Sequence, residues 1–422
     1  MNNTDTTPTI SQNNTQTQNG YKKTAIGVIP MDWNVKRLGQ IGELKNGINK
    51  DKDQFGFGFP LINLNDVFEI NTDHDKDFSL VNSNEKERKD YSLIKGDVLF
   101  VRSSVKATGV GLTCTILKDI KDAVYSGFII RFRDNHYLDL NYKVHCFFEQ
   151  GFRNRLLAKS TISANININQ VALNSLQLPI PPLPEQQKIA EILSTWDDAI
   201  ANCKKTINTL KARNKGLALQ LLTGKKRLNG FSEKWVELKA DKIFRNNTDK
   251  THNGELEILS ATQERGVIPR SMNNIDIKYD VNSLGTYKKV EVGDYVISLR
   301  SFQGGIEYSE YEGIVSPAYT ILKEIIPISK TFFKVYFKTE TFISRLNTII
   351  YGIRDGKQIS FKDFATLKLP CPSVKEQTAI AQVLETANQE LKSYEIKLEA
   401  LQLQKKGLMQ QLLTGKIRVN VK

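Results

Sequence analysis

Apolar residues recur with a strict 4-3 spacing in two stretches of the chain. The first seam runs Ile189, Leu193, Trp196, Ile200, Cys203, Ile207, Leu210, Asn214, Leu217 and Leu221, and the second runs Ile380, Leu384, Ala387, Leu391, Tyr394, Leu398, Leu401, Lys405, Leu408 and Leu412. A seam of this period, held over so many turns, predicts two long helices that pack on each other as a coiled coil. One polar residue interrupts each seam at the same place, Asn214 and Lys405, at an a position. A single polar a residue fixes register at a cost in stability; the other reading is a frayed or solvent-facing end. Pro184 suits the first turn of one helix, and Ser373 with Glu376 three residues later forms a capping box for the other. Gly224 and Gly415 are placed to stop them. Gly216 and Gly407 lie inside the helices, where glycine costs about 1 kcal/mol relative to alanine. They either admit a close neighbour or mark local fraying.

Each seam belongs to a longer repeat. Leu178-Pro179, Glu185-Gln186, Ile189-Ala190 and the tail Gln220-Leu221-Leu222-Thr223-Gly224-Lys225 with Arg227 return 191 residues later as Leu369-Pro370, Glu376-Gln377, Ile380-Ala381 and Gln411-Leu412-Leu413-Thr414-Gly415-Lys416 with Arg418. A period this long is a duplicated module, since solenoid units span only about 20 to 50 residues. Ahead of each helix lies a region of mixed strand and short-helix patterning. Both regions open on a tryptophan, Trp33 and Trp235, and both carry a Gly-Asp turn, an apolar strand and an Arg-Ser pair, at 96–103 and 293–301. Between these landmarks they share little, as expected of one scaffold carrying two different surfaces.

At 422 residues the chain is too long for one core, and its 40% hydrophobic content suffices for two. The 59 Lys and Arg against 46 Asp and Glu leave a net charge of +13, which points to a polyanionic partner. Cys114, Cys146, Cys203 and Cys371 show no paired or metal-ligand spacing, so a reduced, cytoplasmic protein is expected. Residues 1–20 are nearly all Asn, Thr, Gln and Ser and read as a disordered tail. No run of 18 apolar residues occurs, which excludes a helical membrane span.

Two variable regions, each followed by a Leu-Pro…Glu-Gln…Ile-Ala helix ending in Leu-Leu-Thr-Gly-Lys, resemble the specificity subunit of type I restriction-modification enzymes. The resemblance covers nearly the whole chain from about Tyr21. It implies an α+β fold: two similar mixed α/β target recognition domains separated by two long, antiparallel coiled-coil helices with pseudo-twofold symmetry. On this reading residues 21–178 and 229–369 are the readers, each taking one half of a bipartite site in double-stranded DNA, and 179–228 and 370–422 are the spacer helices. Glu185, Gln186, Glu376 and Gln377 fall at the helix starts. The implied partners are methyltransferase subunits, two of them, and restriction-translocase subunits. Those partners carry S-adenosylmethionine, ATP and magnesium, so no cofactor and no membrane partner is expected for this chain. Lys375 stands where the first copy has Pro184, which leaves the entry of the second helix open.

Catalytic motifs are missing where they would be needed. The one Pro-Pro pair, Pro181-Pro182, follows Ile180 and opens a helix, so it is not an amino-methyltransferase loop, and Gly56-x-Gly58 and Gly109-x-Gly111 lack the third glycine of a nucleotide site. His74, His136, His145 and His252 have no ligand spacing, and Asp97 and Asp294 read as turn residues. DNA contacts are the better-supported chemistry, because Arg and Lys neutralise phosphates while Arg, Asn and Gln pair with purine edges. The candidates in the first region are Arg102, Ser103, Lys106, Arg153, Lys159, Asn165, Asn167 and Gln170. In the second they are Arg300, Gln303, Tyr351, Arg354, Lys357 and Gln358, with the glycines at 352 and 356 letting backbone approach DNA. A solvated surface is the competing reading for each. A self-contained DNA-modifying enzyme and a coiled-coil scaffold without DNA function are the rival readings of the whole chain.

Overall fold

A computed structural model describes residues 20–69, 77–273, 281–349 and 359–421. The two seams form helices of 40 and 39 residues, Leu183–Leu222 and Val374–Leu412. By contacts the chain divides into two units: Met1–Asn202 with Leu398–Lys422, and Cys203–Lys397. Each unit therefore takes the first part of one long helix and the last part of the other.

In the first unit, an antiparallel sheet orders its strands Gly42–Asn46, Ile129–Asp134, Val98–Val101 and Thr113–Thr115. The second unit repeats this order with Phe244–Asn247, Thr320–Glu324, Tyr295–Ile297 and Glu307–Tyr308. A short pairing closes each unit: Asn34–Arg37 with Gln177–Ile180, and Val236–Lys239 with Lys368–Cys371. The sequence landmarks explain the match. Asp97 and Asp294 each accept the backbone N–H three residues earlier, from Ile94 and Glu291, both at 2.9 Å, so both are the turn residues expected. Each turn feeds a buried strand.

Two short helices then pack on each sheet, Leu140–Cys146 with Gln150–Ala158 and Lys330–Tyr336 with Glu340–Thr348. Phe100, Phe132, Phe147 and Phe152 fill the first core, and Phe244, Tyr295, Phe333 and Phe337 the second. Their rings meet at 5.1 to 6.2 Å between centroids, mostly edge to face, a geometry aromatic quadrupoles favour.

The long helices complete both cores. In the first unit Ile189 and Leu193 are buried with Leu412 and Leu413. In the second, Ile380 and Leu384 are buried with Leu221 and Leu222. The seam pairs antiparallel within each unit, because Asp197 meets Lys405 while Ile189 lies with Leu412, and Cys203 lies against Tyr394 while Asn214 reaches Ala387. The polar layers are paired rather than frayed. Lys405 forms an ion pair with Asp197, and the Asn214 amide donates to the Ala387 carbonyl at 2.8 Å and to Asn388 at 3.4 Å. Asp197 and Asn388 are themselves repeat equivalents, so each helix carries both halves of the register device.

His145 adds a charge-sensitive element to the first unit. It is buried, with Nδ1 3.8 Å from Asp197 and the Lys405 ammonium close by; burial first, then that cation, pull its pKa down to about 4. Asp197 opposes the shift. The neutral ring is thus favoured in the fold. Stability is complete above the ordinary histidine value of about 6.5 and falls as the pH drops toward the depressed value, because the unfolded chain then binds the extra proton. Counting from the helix caps Asp139 and Ser329, Val335 occupies the corresponding place in the second unit. His145→Val is expected to flatten the decline in urea midpoint of the first unit between pH 7 and 5; an unchanged slope would assign that decline to other groups.

Candidate nucleic-acid interface

What positions the candidate surface is a lock built from repeat residues. Trp33 is fully buried, and its indole Nε1 donates to Glu185 Oε2 at 2.8 Å. Arg418 donates to the same carboxylate through Nε at 2.7 Å and Nη2 at 2.9 Å, and to Asp32 at 3.0 and 2.8 Å. The second unit repeats the arrangement: Trp235 donates to Glu376 at 2.9 Å and Arg227 grips it at 2.6 and 2.7 Å. Hydrogen bonding to the carboxylate raises the pKa of both arginines. The neighbouring glutamines tie in the caps of the short helices Leu140–Cys146 and Lys330–Tyr336. Gln186 accepts from Asp139 N at 2.8 Å and Gln377 from Ser329 N at 2.8 Å, and each donates back to a proline carbonyl at its own helix start.

The expected capping box is consequently one-sided. Ser373 Oγ accepts from Glu376 N at 3.4 Å, but the Glu376 side chain turns away to Trp235 and Arg227. Trp, Glu and Arg were all visible as repeated letters. Only the fold pairs them.

On this frame, the first unit brings most of its candidates together. The chain leaves the buried strand Val98–Val101 at Arg102, whose N–H donates to Phe128 O at 2.8 Å and whose carbonyl accepts from Ile168 N at 2.9 Å. Ser103–Ser104 then pairs with Ile166–Asn167, which pairs with Thr161–Ile162. Three loops, near 102–109, 126–128 and 161–168, thus converge. Lys106 and Asn165 are exposed on them; Arg102, Ser103 and Asn167 are half-buried. The Arg102 guanidinium donates to Gly127 O at 3.2 Å, and the Asn167 amide holds the 163–165 turn through Asn165 O at 2.9 Å. Lys159 caps the preceding helix in solvent, and Gln170 is the first residue of the helix Gln170–Ser175 that follows. Arg153 faces inward, donating to Val110 O at 2.8 Å, and burial lowers its pKa. It props the returning limb of the 102–111 loop.

In the second unit Arg300 and Gln303 are exposed at a single helical turn, Ser301–Gly304, where the first unit has its small sheet. Buried Ser301 fixes that turn by accepting from Ser298 N at 2.9 Å. Tyr351, Arg354, Lys357 and Gln358 lie outside the described residues, as do His74 and residues 1–19 of the expected tail. Among the described residues no three His, Cys, Asp or Glu side chains gather as a metal site, and no helix is long and apolar enough to cross a membrane.

The two units thus share one scaffold, each locked by residues of the repeat, and each presents cationic and amide side chains on differently built loops. Residues 30–212 match the family model described as the type I restriction modification DNA specificity domain. A Methanocaldococcus jannaschii protein assigned as the MjaX type I restriction enzyme specificity subunit is 27% identical over 433 residues, covering 95% of this chain and 97% of its own length. The S subunit of a type I restriction-modification system from M. genitalium, 16% identical, shares the fold with a TM-score of 0.50 over 90% of this chain and 96% of that one. A chain from a structure described as the basis of complex assembly and conformational transition of the type I system, 12% identical, does so with a TM-score of 0.57 over 92% and 99%. Residues 30–212 thus resemble a type I specificity domain, and the chain is similar to type I specificity subunits along nearly its whole length.

Proposed function

We propose that this chain is a type I restriction-modification specificity subunit that reads a two-part DNA target, residues 21–178 contacting one half and 229–369 the other, and that it is itself non-catalytic. The repeat helices are the docking faces for methyltransferase subunits, and through them for restriction-translocase subunits. The observation that carries this reading is the duplication of the Trp-Glu-Arg lock and the sheet order beneath loops that differ in construction. Selection for one target would have no use for two divergent surfaces on one scaffold. The charge of +13 supplies the sequence-independent part of the binding.

Within the first reader, exposed Lys106 and Lys159 engage phosphates, Asn165 a base edge, while Arg153 acts through the loop it props. Exchanging residues 21–178 for another reader is expected to alter one half of the methylated site in cells that also carry the methyltransferase, leaving the other half unchanged. A change in both halves, or in neither, would overturn the division of labour. Lys106→Ala is expected to weaken binding to all duplexes alike and to reduce the slope of log affinity against log salt by about 1. Asn165→Ala should instead relax discrimination at one base pair by about 1 to 3 kcal/mol. Equal loss on cognate and scrambled duplex would move Asn165 to the phosphate class.

A further inference from the structure

The converging loops of the first unit enclose a pocket of about 630 Å³ whose walls include Leu64, Leu112, Val105 and Phe128, with Lys106 and Asn165 at its rim. Two of these apolar side chains lie largely in solvent, Val105 at 81% and Phe128 at 60% exposure. Ile162, 83% exposed, stands on the adjoining strand. The protein has enough core to bury them, so their position at one mouth, beside cations, calls for a partner with an apolar feature inside a polyanionic surface. Lys106 makes no ion pair, and the Asn165 amide makes no hydrogen bond, among the described residues. Both remain available to a ligand.

Duplex DNA has one such apolar feature in its major groove, the C5-methyl of thymine, which packs against apolar side chains while neighbouring base edges offer hydrogen-bonding groups. We propose that the mouth of this pocket reads a thymine methyl, with Phe128 and Val105 in contact with it, Asn165 directed at a base edge beside it and Lys106 at the phosphate backbone. The inference rests on the DNA-reading function of residues 21–178 and adds one base identity to it. It places specificity in side chains that polarity alone would have passed over, since the loop residues that look suited to DNA are the charged and amide ones. The 126–128 loop is held to this surface by the Arg102 N–H and guanidinium, which donate to Phe128 O and Gly127 O. That tie keeps Phe128 at the mouth.

The test uses the full chain with its methyltransferase and duplexes carrying the target mapped from the methylation pattern. Each thymine of the half-site read by residues 21–178 is replaced singly by deoxyuridine, which removes only the methyl. One replacement is expected to weaken binding roughly four-fold, the factor that follows from burying one methyl-sized apolar group. In Phe128→Ala, and to a smaller extent in Val105→Ala, the penalty at that position should vanish while the other thymines behave as before. Both residues are exposed enough for the variants to fold, and an unchanged melting curve checks it. A half-site without A·T pairs, no uridine penalty at any position, or a penalty that persists in both variants would overturn the assignment. Bright 2-aminopurine fluorescence at one position without a uridine penalty would do so as well, by showing that the pocket takes an extruded base. Failure of the broader reading looks different: the chain would then not distinguish the mapped duplex from a scrambled one.

Discussion

Replacing Arg418 with alanine is expected to destabilise the first unit by about 3 kcal/mol, because it leaves the Glu185 carboxylate buried without its cation. Glu185 is 2% exposed and has three hydrogen-bond donors, two from Arg418 and one from Trp33. With Arg418 removed, one indole N–H faces a full charge. Arg418 itself is two-fifths exposed, which places the loss at the lower end of the range for breaking a buried pair. A loss of this size is a large part of the roughly 5 to 15 kcal/mol that typically holds a domain folded. Glu185→Gln in the same chain should recover part of it, since a neutral amide can still accept from Trp33 and needs no cation. Urea denaturation followed by tryptophan fluorescence reads the effect directly. A loss below about 1 kcal/mol, or no recovery in the double variant, would show that the lock is ornamental to stability. Glu376, Trp235 and Arg227 should behave in the same sense in the second unit.

The second large effect separates two glycines that the repeat makes equivalent. Gly415→Ala is expected to cost about 2 to 4 kcal/mol, and Gly224→Ala only about 1 to 2. Both have φ of +69°, where an L side chain is strained, and both end a long helix. Their surroundings differ. A Cβ at Gly415 would overlap the Pro30 ring, lying 2.5 Å from Cγ, and Pro30 is held by its strand. A Cβ at Gly224 would meet the Trp235 ring at 3.3 Å, a tight contact that a shift of a few tenths of an ångström relieves. Equal midpoints for the two variants would mean that left-handed strain alone sets the cost.

The repeat and the two long helices were legible in the sequence because a 4-3 apolar seam is a local periodic signal, whereas their antiparallel pairing came only from the family resemblance, since the seam does not encode direction. It needs no knowledge of what lies across the interface. The Gly-Asp turns and the glycine stops were legible for the same reason, since each depends on residues three or four apart. Trp33, Glu185 and Arg418 were visible as repeated letters, yet Arg418 is 233 residues from Glu185, and nothing in the spacing says that the tail of the second repeat closes the first unit. Likewise the charge of +13 and the polar loops pointed to DNA, but the same letters had to be sorted by the fold. Arg153 turns inward to a backbone carbonyl while Lys106 remains in solvent, and Phe128 and Val105 come to the mouth of a pocket that no periodic pattern marks. The sequence by itself determined the period of the scaffold and the sign of the net charge, one a repeat over neighbouring residues and the other a sum over the chain. The tertiary structure decided which polar side chains stay open to solvent, because that depends on distant backbone groups that either take up a side chain's hydrogen bonds or leave them unmade.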